Sequence, residues 1–96
     1  MFFSEALKAA QEQEVRIARS GWNGKGMWVC VGSTTPTKLA SDKFWNKHTK
    51  KFAEQQGGEA EVLPYMLMKT ADNKIQMGWL ASQSDLLAND WQILED

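Results

Sequence analysis

The sequence predicts an α+β domain, a small antiparallel sheet of about five strands with an N-terminal helix and a mid-chain helix. Three observations predict it. Apolar residues recur at helical spacing near the N-terminus and again in mid-chain. Elsewhere polar and apolar residues alternate, and the alternating runs are joined by turns of hairpin length rather than by crossover helices. With 96 residues the chain reads as one domain, 1–96, because two separate cores would need more volume.

Phe3, Ala6, Leu7 and Ala10 share one helical face, Ser4 can cap, and Glu5 sits where the helix dipole favours a carboxylate. A short amphipathic helix over 4–12 follows. Residues 14–20 change to period two, with Val15, Ile17 and Arg19 on one face of a strand. Residues 27–31 are apolar on both faces, as in a central strand, and form a hairpin with the preceding one. Gly32, a Ser-Thr-Thr run and Pro36 make 32–40 a loop. Ser41 then opens a second helix reaching about Gln56, stopped by Gly57-Gly58. Its apolar stripe is Phe44, Trp45, His48 and Phe52; Lys43, Lys47, Lys50 and Lys51 form a basic stripe read as a solvated face.

Residues 61–69 are strand-like, with Pro64 confining that strand to an edge or a start. A turn at 71–74 leads to Ile75, Met77 and Trp79 as the inner face of another strand. Ser82 and Asp85 have capping-box spacing before Leu86-Leu87, and Trp91 with Ile93 forms a last short strand.

Composition removes several function classes. A net charge of -1 is not that of a general nucleic-acid binder, so no nucleic-acid polymer is expected as partner. One cysteine, Cys30, and one histidine, His48, do not supply a metal-ligand set, and no cofactor is implied. His48 reads as a packed residue. Ser82, His48 and Asp85 match no triad arrangement, and Gly21, Gly24 and Gly26 match neither common phosphate-loop spacing. There is no long apolar segment, so no membrane partner is expected. Five tryptophans and five methionines are many for so small an interior, which points some of them toward a partner or a ligand.

The stretch 19–27, Arg-Ser-Gly-Trp-Asn-Gly-Lys-Gly-Met, is where ligand chemistry concentrates. Trp22 lies among three glycines with few side chains to cover it. It either caps the core from a tight turn or meets a flat ligand. Asn23 adds amide donors and an acceptor, Lys25 a positive charge, and Gly24 room for close approach. Arg19 either pairs with a carboxylate or contacts an anion. Trp79, followed by Ser82 and Gln83, is either core or a second stacking surface, and two indoles can hold a purine at about 1–3 kcal/mol per base. The short helix opened by Ser82 can take a phosphate, and Asp85 and Asp90 can accept from ribose hydroxyls.

Four ordered motifs then carry a resemblance. Phe3-Ser4-Glu5-Ala6-Leu7, the run from Ala18 through Gly21-Trp22-Asn23-Gly24 to Met27, Met68-Lys69-Thr70-Ala71-Asp72, and Gly78-Trp79-Leu80-Ala81-Ser82-Gln83-Ser84-Asp85 on to Trp91 together resemble the phage-encoded Thoeris anti-defence protein two family. Residues 33–60 carry none of it, and Asn73 stands where glycine is expected after Thr-Ala-Asp. The resemblance implies a non-enzymatic sponge in the cytoplasm of the infected bacterial host. It would hold TIR-derived cyclic ADP-ribose isomers, or other cyclic nucleotides including cyclic oligonucleotides, without cleaving them. It also implies a homo-oligomer, a dimer of dimers with pockets at subunit contacts. Trp22, Asn23 and Trp79 carry over as nucleotide contacts, with Arg19, Gly24, Ser82, Gln83 and Asp85 beside them. A hydrolase of such signals and a protein-interaction module are the alternatives.

Overall fold

The computed structural model describes residues 1–95, apart from the side chain of Asn23. Helix α1 spans Phe3–Gln13 and is followed by strands β1 (Arg16–Arg19) and β2 (Trp28–Ser33), which are separated by a 3-10 turn over Ser20–Lys25. Then come β3 (Thr37–Ala40), a 3-10 turn at Ser41–Lys43, helix α2 (Lys47–Gln55) and β4 (Glu59–Val62). Strands β5 (Tyr65–Lys69) and β6 (Ile75–Met77), helix α3 (Gln83–Leu87) and β7 (Trp91–Leu94) complete the chain. The α+β class is as expected, with a five-stranded antiparallel sheet in the order β6-β5-β2-β1-β7 and a separate β3-β4 pair.

The chain folds as two compact units. The first comprises Met1–Thr34 and the segment from Tyr65 onward. Helix α1 begins one residue before Ser4, and the cap is made by Glu5, whose Oε1 accepts from the Phe2 N–H at 3.2 Å. It ends at Glu14 in left-handed geometry (φ 56). Phe3, Ala6 and Ala10 are buried against Ile17, Val29 and Trp91, so one face of the sheet is closed by the helix. Cross-strand pairs Ile17–Val29, Ile17–Ile93 and Val29–Met68 put the alternating apolar residues of four strands on that face. Fully burying side chains of this size contributes about 1.5–3 kcal/mol each.

Two further expectations in this unit are corrected. Ile75 and Met77 do not face the core: β6 is an edge strand, and Gln76, paired with Met68, takes the helix side while both apolar residues are exposed. Trp79 is not in that strand either. Gly78, at φ +87, turns the chain out of β6, and Trp79 then packs against the core.

The second unit is Thr35–Pro64. Here the expected loop at 32–40 gives way to β3, paired residue for residue with β4. The expected single strand over 61–69 is two strands in different sheets, divided at Leu63-Pro64, because proline cannot continue a ladder. The expected helix from Ser41 is also divided. Asn46 is a stronger start signal than Ser41, since its Oδ1 accepts from the N–H groups of His48 (2.8 Å) and Thr49 (3.2 Å). Ala53, not the expected aromatic stripe, is the buried residue of α2. His48 is exposed rather than packed, Phe44 is half-buried, Phe52 is exposed, and Trp45 is 93% exposed. About thirty residues enclose too little volume to hide that stripe.

Candidate functional site

One end of the first unit gathers most of the residues singled out in the sequence. The turn Ser20–Lys25 carries Trp22 off the end of β1, Gly78 swings Trp79 in from β6, and β7 supplies Trp91. The three indoles meet edge to face. Trp22 lies 6.1 Å from Trp79 at 88° and 5.2 Å from Trp91 at 76°, while Trp79 and Trp91 are 6.3 Å apart at 72°. Phe3 closes the cluster from α1, 5.0 Å from Trp91 and 6.5 Å from Trp79. Such tilted contacts satisfy the ring quadrupoles. Trp91 is 2% exposed and forms the floor, whereas Trp22 and Trp79 are half-buried and retain accessible surface.

An ion-paired cluster adjoins the indoles through Trp91, whose Nε1–H donates to the Asp85 carbonyl at 2.8 Å. Arg19, paired across the strands with Trp91, donates from Nη1 to Asp85 (3.1 Å) and from Nε to Asp90 (3.0 Å). Ser20 Oγ donates to the second oxygen of Asp90 at 3.1 Å. The Arg19 hydrogen bond holds the Asp90 carboxyl below the ordinary carboxylate range; desolvation opposes it less strongly, and the Ser20 hydroxyl adds to the lowering. Reciprocally, Asp90 and then Asp85 raise the already high Arg19 value. One cation facing two carboxylates leaves this cluster with formal charge of about -1. It suits hydrogen-bond donors such as hydroxyls better than a phosphate.

Helix α3 is built into the same cluster. Ser82 Oγ accepts from the Asp85 N–H at 3.2 Å, and Asp85 Oδ2 accepts from the Ser82 N–H at 3.3 Å. That reciprocal cap places a carboxylate on the helix start, so the phosphate role read for this helix end from sequence meets a position already neutralised. Gln83 is exposed on the first turn of α3. Gly24 is exposed in the 3-10 turn, and a Cβ there would meet nothing within 4 Å. The side chain of Asn23 lies outside the described residues. The structure therefore brings together Trp22, Trp79, Arg19, Asp85 and Ser82, and leaves Gly24 and Gln83 at the rim.

Trp91 and Phe3 join the site although the sequence reading gave them only structural places. Alternation with Ile93 marked Trp91 as a strand residue, but its place opposite Arg19 comes from the register of β1 with β7, which spacing does not carry. Among the described residues no group of three or more His, Cys, Asp or Glu side chains can hold a metal ion. Burial pushes the Cys30 thiol up, which makes it a poor nucleophile.

Fold and site define a small α+β domain with an aromatic cluster rimmed by a paired arginine. A family model for the Thoeris anti-defense 2-like domain matches residues 1–94. The chain is also 40% identical over 94 residues to the Thoeris anti-defense 2 protein of Bacillus phage SP01, covering 98% of this chain and 94% of the relative. This chain belongs to the Thoeris anti-defense 2-like family, and that membership supports an anti-defence role. No described helix is long and apolar enough to cross a membrane.

Proposed function

We propose that the protein is a sponge: it binds TIR-derived cyclic ADP-ribose isomers, with cyclic oligonucleotides as further ligands, and withholds them from Thoeris-type signalling without cleaving them. The observation that carries this reading is the pair of half-buried indoles, Trp22 and Trp79, fixed on a buried Trp91 floor. At 88° they cannot sandwich one base between parallel planes. One indole stacks on the purine and the other meets its edge. The Arg19–Asp85–Asp90 cluster, poor in net positive charge, takes ribose hydroxyls, while phosphates lie toward Lys25 and the open backbone at Gly24.

Sequestration requires affinity without reaction, and each tenfold gain over the signalling receptor needs about 1.4 kcal/mol. Assembly as a homo-oligomer, a dimer of dimers, supplies it by closing a second subunit over the ligand in the host cytoplasm. Supporting this, Leu80 is 92% and Leu87 73% exposed, with Phe2 and Leu86 also open, all on segments flanking the indoles. The test is calorimetry with cyclic ADP-ribose isomers, then heat release and analysis of the returned compound. Tight binding with unchanged ligand is expected. Altered product replaces the sponge with a hydrolase.

A further inference from the structure

The second unit carries a surface that the nucleotide reading does not use. Strand β4 has β3 as its one hydrogen-bonded neighbour among the described residues, so its other side is an open edge. Which backbone groups lie on that edge follows from the ladder. Ser41 N–H donates to the Gly58 carbonyl at 2.8 Å, in line with the pairs Ala40–Glu59, Leu39–Ala60 and Lys38–Glu61. Hydrogen-bonded and non-hydrogen-bonded pairs alternate along an antiparallel ladder, so Leu39–Ala60 exchanges bonds while Ala40–Glu59 and Lys38–Glu61 do not. The N–H and C=O groups of Glu59 and Glu61 therefore point away from β3.

A cleft of about 390 Å³ at β4 is lined by Glu59, Ala60 and Glu61 of that strand, Lys38 of β3, and Phe52 and Gln56 from the end of α2. Phe52 and Gln56 stand one helical turn apart at the end of α2, and Phe52 is 54% exposed. A helix flank next to an unpaired strand edge is the arrangement in which an extended peptide adds a strand and drops alternate side chains into a groove. Charge selects what can be added. Antiparallel pairing of β4 with its own copy would set Glu59 against Glu61, and like charges directly opposite are unfavourable. The Lys38–Glu59 contact, 3.7 Å between exposed groups, leaves the acidic character in excess.

We propose that β4 is a docking edge for an extended segment of a partner protein in which basic and apolar residues alternate. The basic side chains meet Glu59 and Glu61 on one face, and the apolar ones lie on the other face against Phe52 and Ala60. The full-length protein is titrated with a short peptide of alternating lysine and valine, followed by amide NMR shifts and fluorescence anisotropy. Binding with the largest shifts at 59–62 is expected. A glutamate–valine peptide should not bind, and N-methylation of alternate peptide amides should abolish binding while keeping every charge. Glu59→Lys with Glu61→Lys should weaken it by about tenfold or more. Equal binding of the N-methylated peptide overturns the proposal, as does absence of binding to the unaltered protein. Protein that self-associates through 59–62, shown by sedimentation, replaces the partner with a second copy.

Discussion

The indoles of Trp22 and Trp79 lie 6.1 Å apart at 88°, edge against face, so each depends on the other for its orientation. Removing either should cost ligand affinity in two ways, by loss of a contact and by release of its neighbour. Trp22→Ala and Trp79→Ala are each expected to weaken binding of a cyclic ADP-ribose isomer by about 1–3 kcal/mol in calorimetry. The double variant should lose less than the sum of the two, because contacting residues are not additive. Independent, fully additive losses would show that the two rings serve separate surfaces.

Gly24 offers a test of the proposed ligand contact that leaves folding alone. Its Cβ direction is open and its backbone is not left-handed, so Gly24→Ala should change stability by no more than about 0.5 kcal/mol in urea titrations. A ligand that lies on the turn should nevertheless bind more weakly, because the added methyl occupies its approach. Gly26 is the contrast: at φ +68, Gly26→Ala strains the backbone and should lower stability by about 1 kcal/mol or more. Unchanged ligand affinity in Gly24→Ala would move the phosphates away from this turn.

What was legible in the sequence was local. The helical spacing of Phe3, Ala6 and Ala10, the alternation around Ile17 and the reciprocal cap of Ser82 and Asp85 each depend on neighbours within a few positions. Arg19 could be placed on the apolar face of β1, but its partner Asp90 lies 71 positions away and spacing cannot supply it. The same holds for Thr37–Ala40, which is a strand because β4 pairs with it. Ile75 and Met77 have a buried-strand pattern yet face solvent, since the register with β5 decides the face and one position of slip reverses it. Asn46 was legible in principle. A side-chain acceptor before Lys47 is a helix-start signal, and Ser41 masked it.

Trp91 is the residue on which fold and site both rest. It touches Phe3, Trp22 and Trp79, and its N–H reaches the Asp85 carbonyl. Trp91→Ala should reduce unfolding free energy by about 3–5 kcal/mol, measured by urea denaturation, through lost burial and the cavity left behind. Trp91→Phe keeps most of the volume and leaves the Asp85 carbonyl without this donor, so its cost should be smaller. A Trp91→Ala loss below about 1 kcal/mol would mean that the cluster repacks freely.

Acidification should act through Asp90. Its carboxyl is held below the ordinary value, first by the Arg19 hydrogen bond, so between the native value and the unfolded value near about 3.9 the unfolded chain binds more protons. The stabilisation is therefore complete above the unfolded value and is lost as pH falls through the native one. Asp90→Asn removes this term, and its urea midpoint should fall less steeply than that of the wild type below about pH 4. Asp72, held down mainly by the Thr70 hydroxyl and also by Lys74, contributes a slope of the same sign to both proteins and cancels in the comparison. At neutral pH the variant should be the less stable one, because Arg19 loses its ion pair with Asp90, a loss limited by the retained contact with Asp85. Parallel acid limbs for wild type and Asp90→Asn would show that the Arg19–Asp90 contact does not persist in solution.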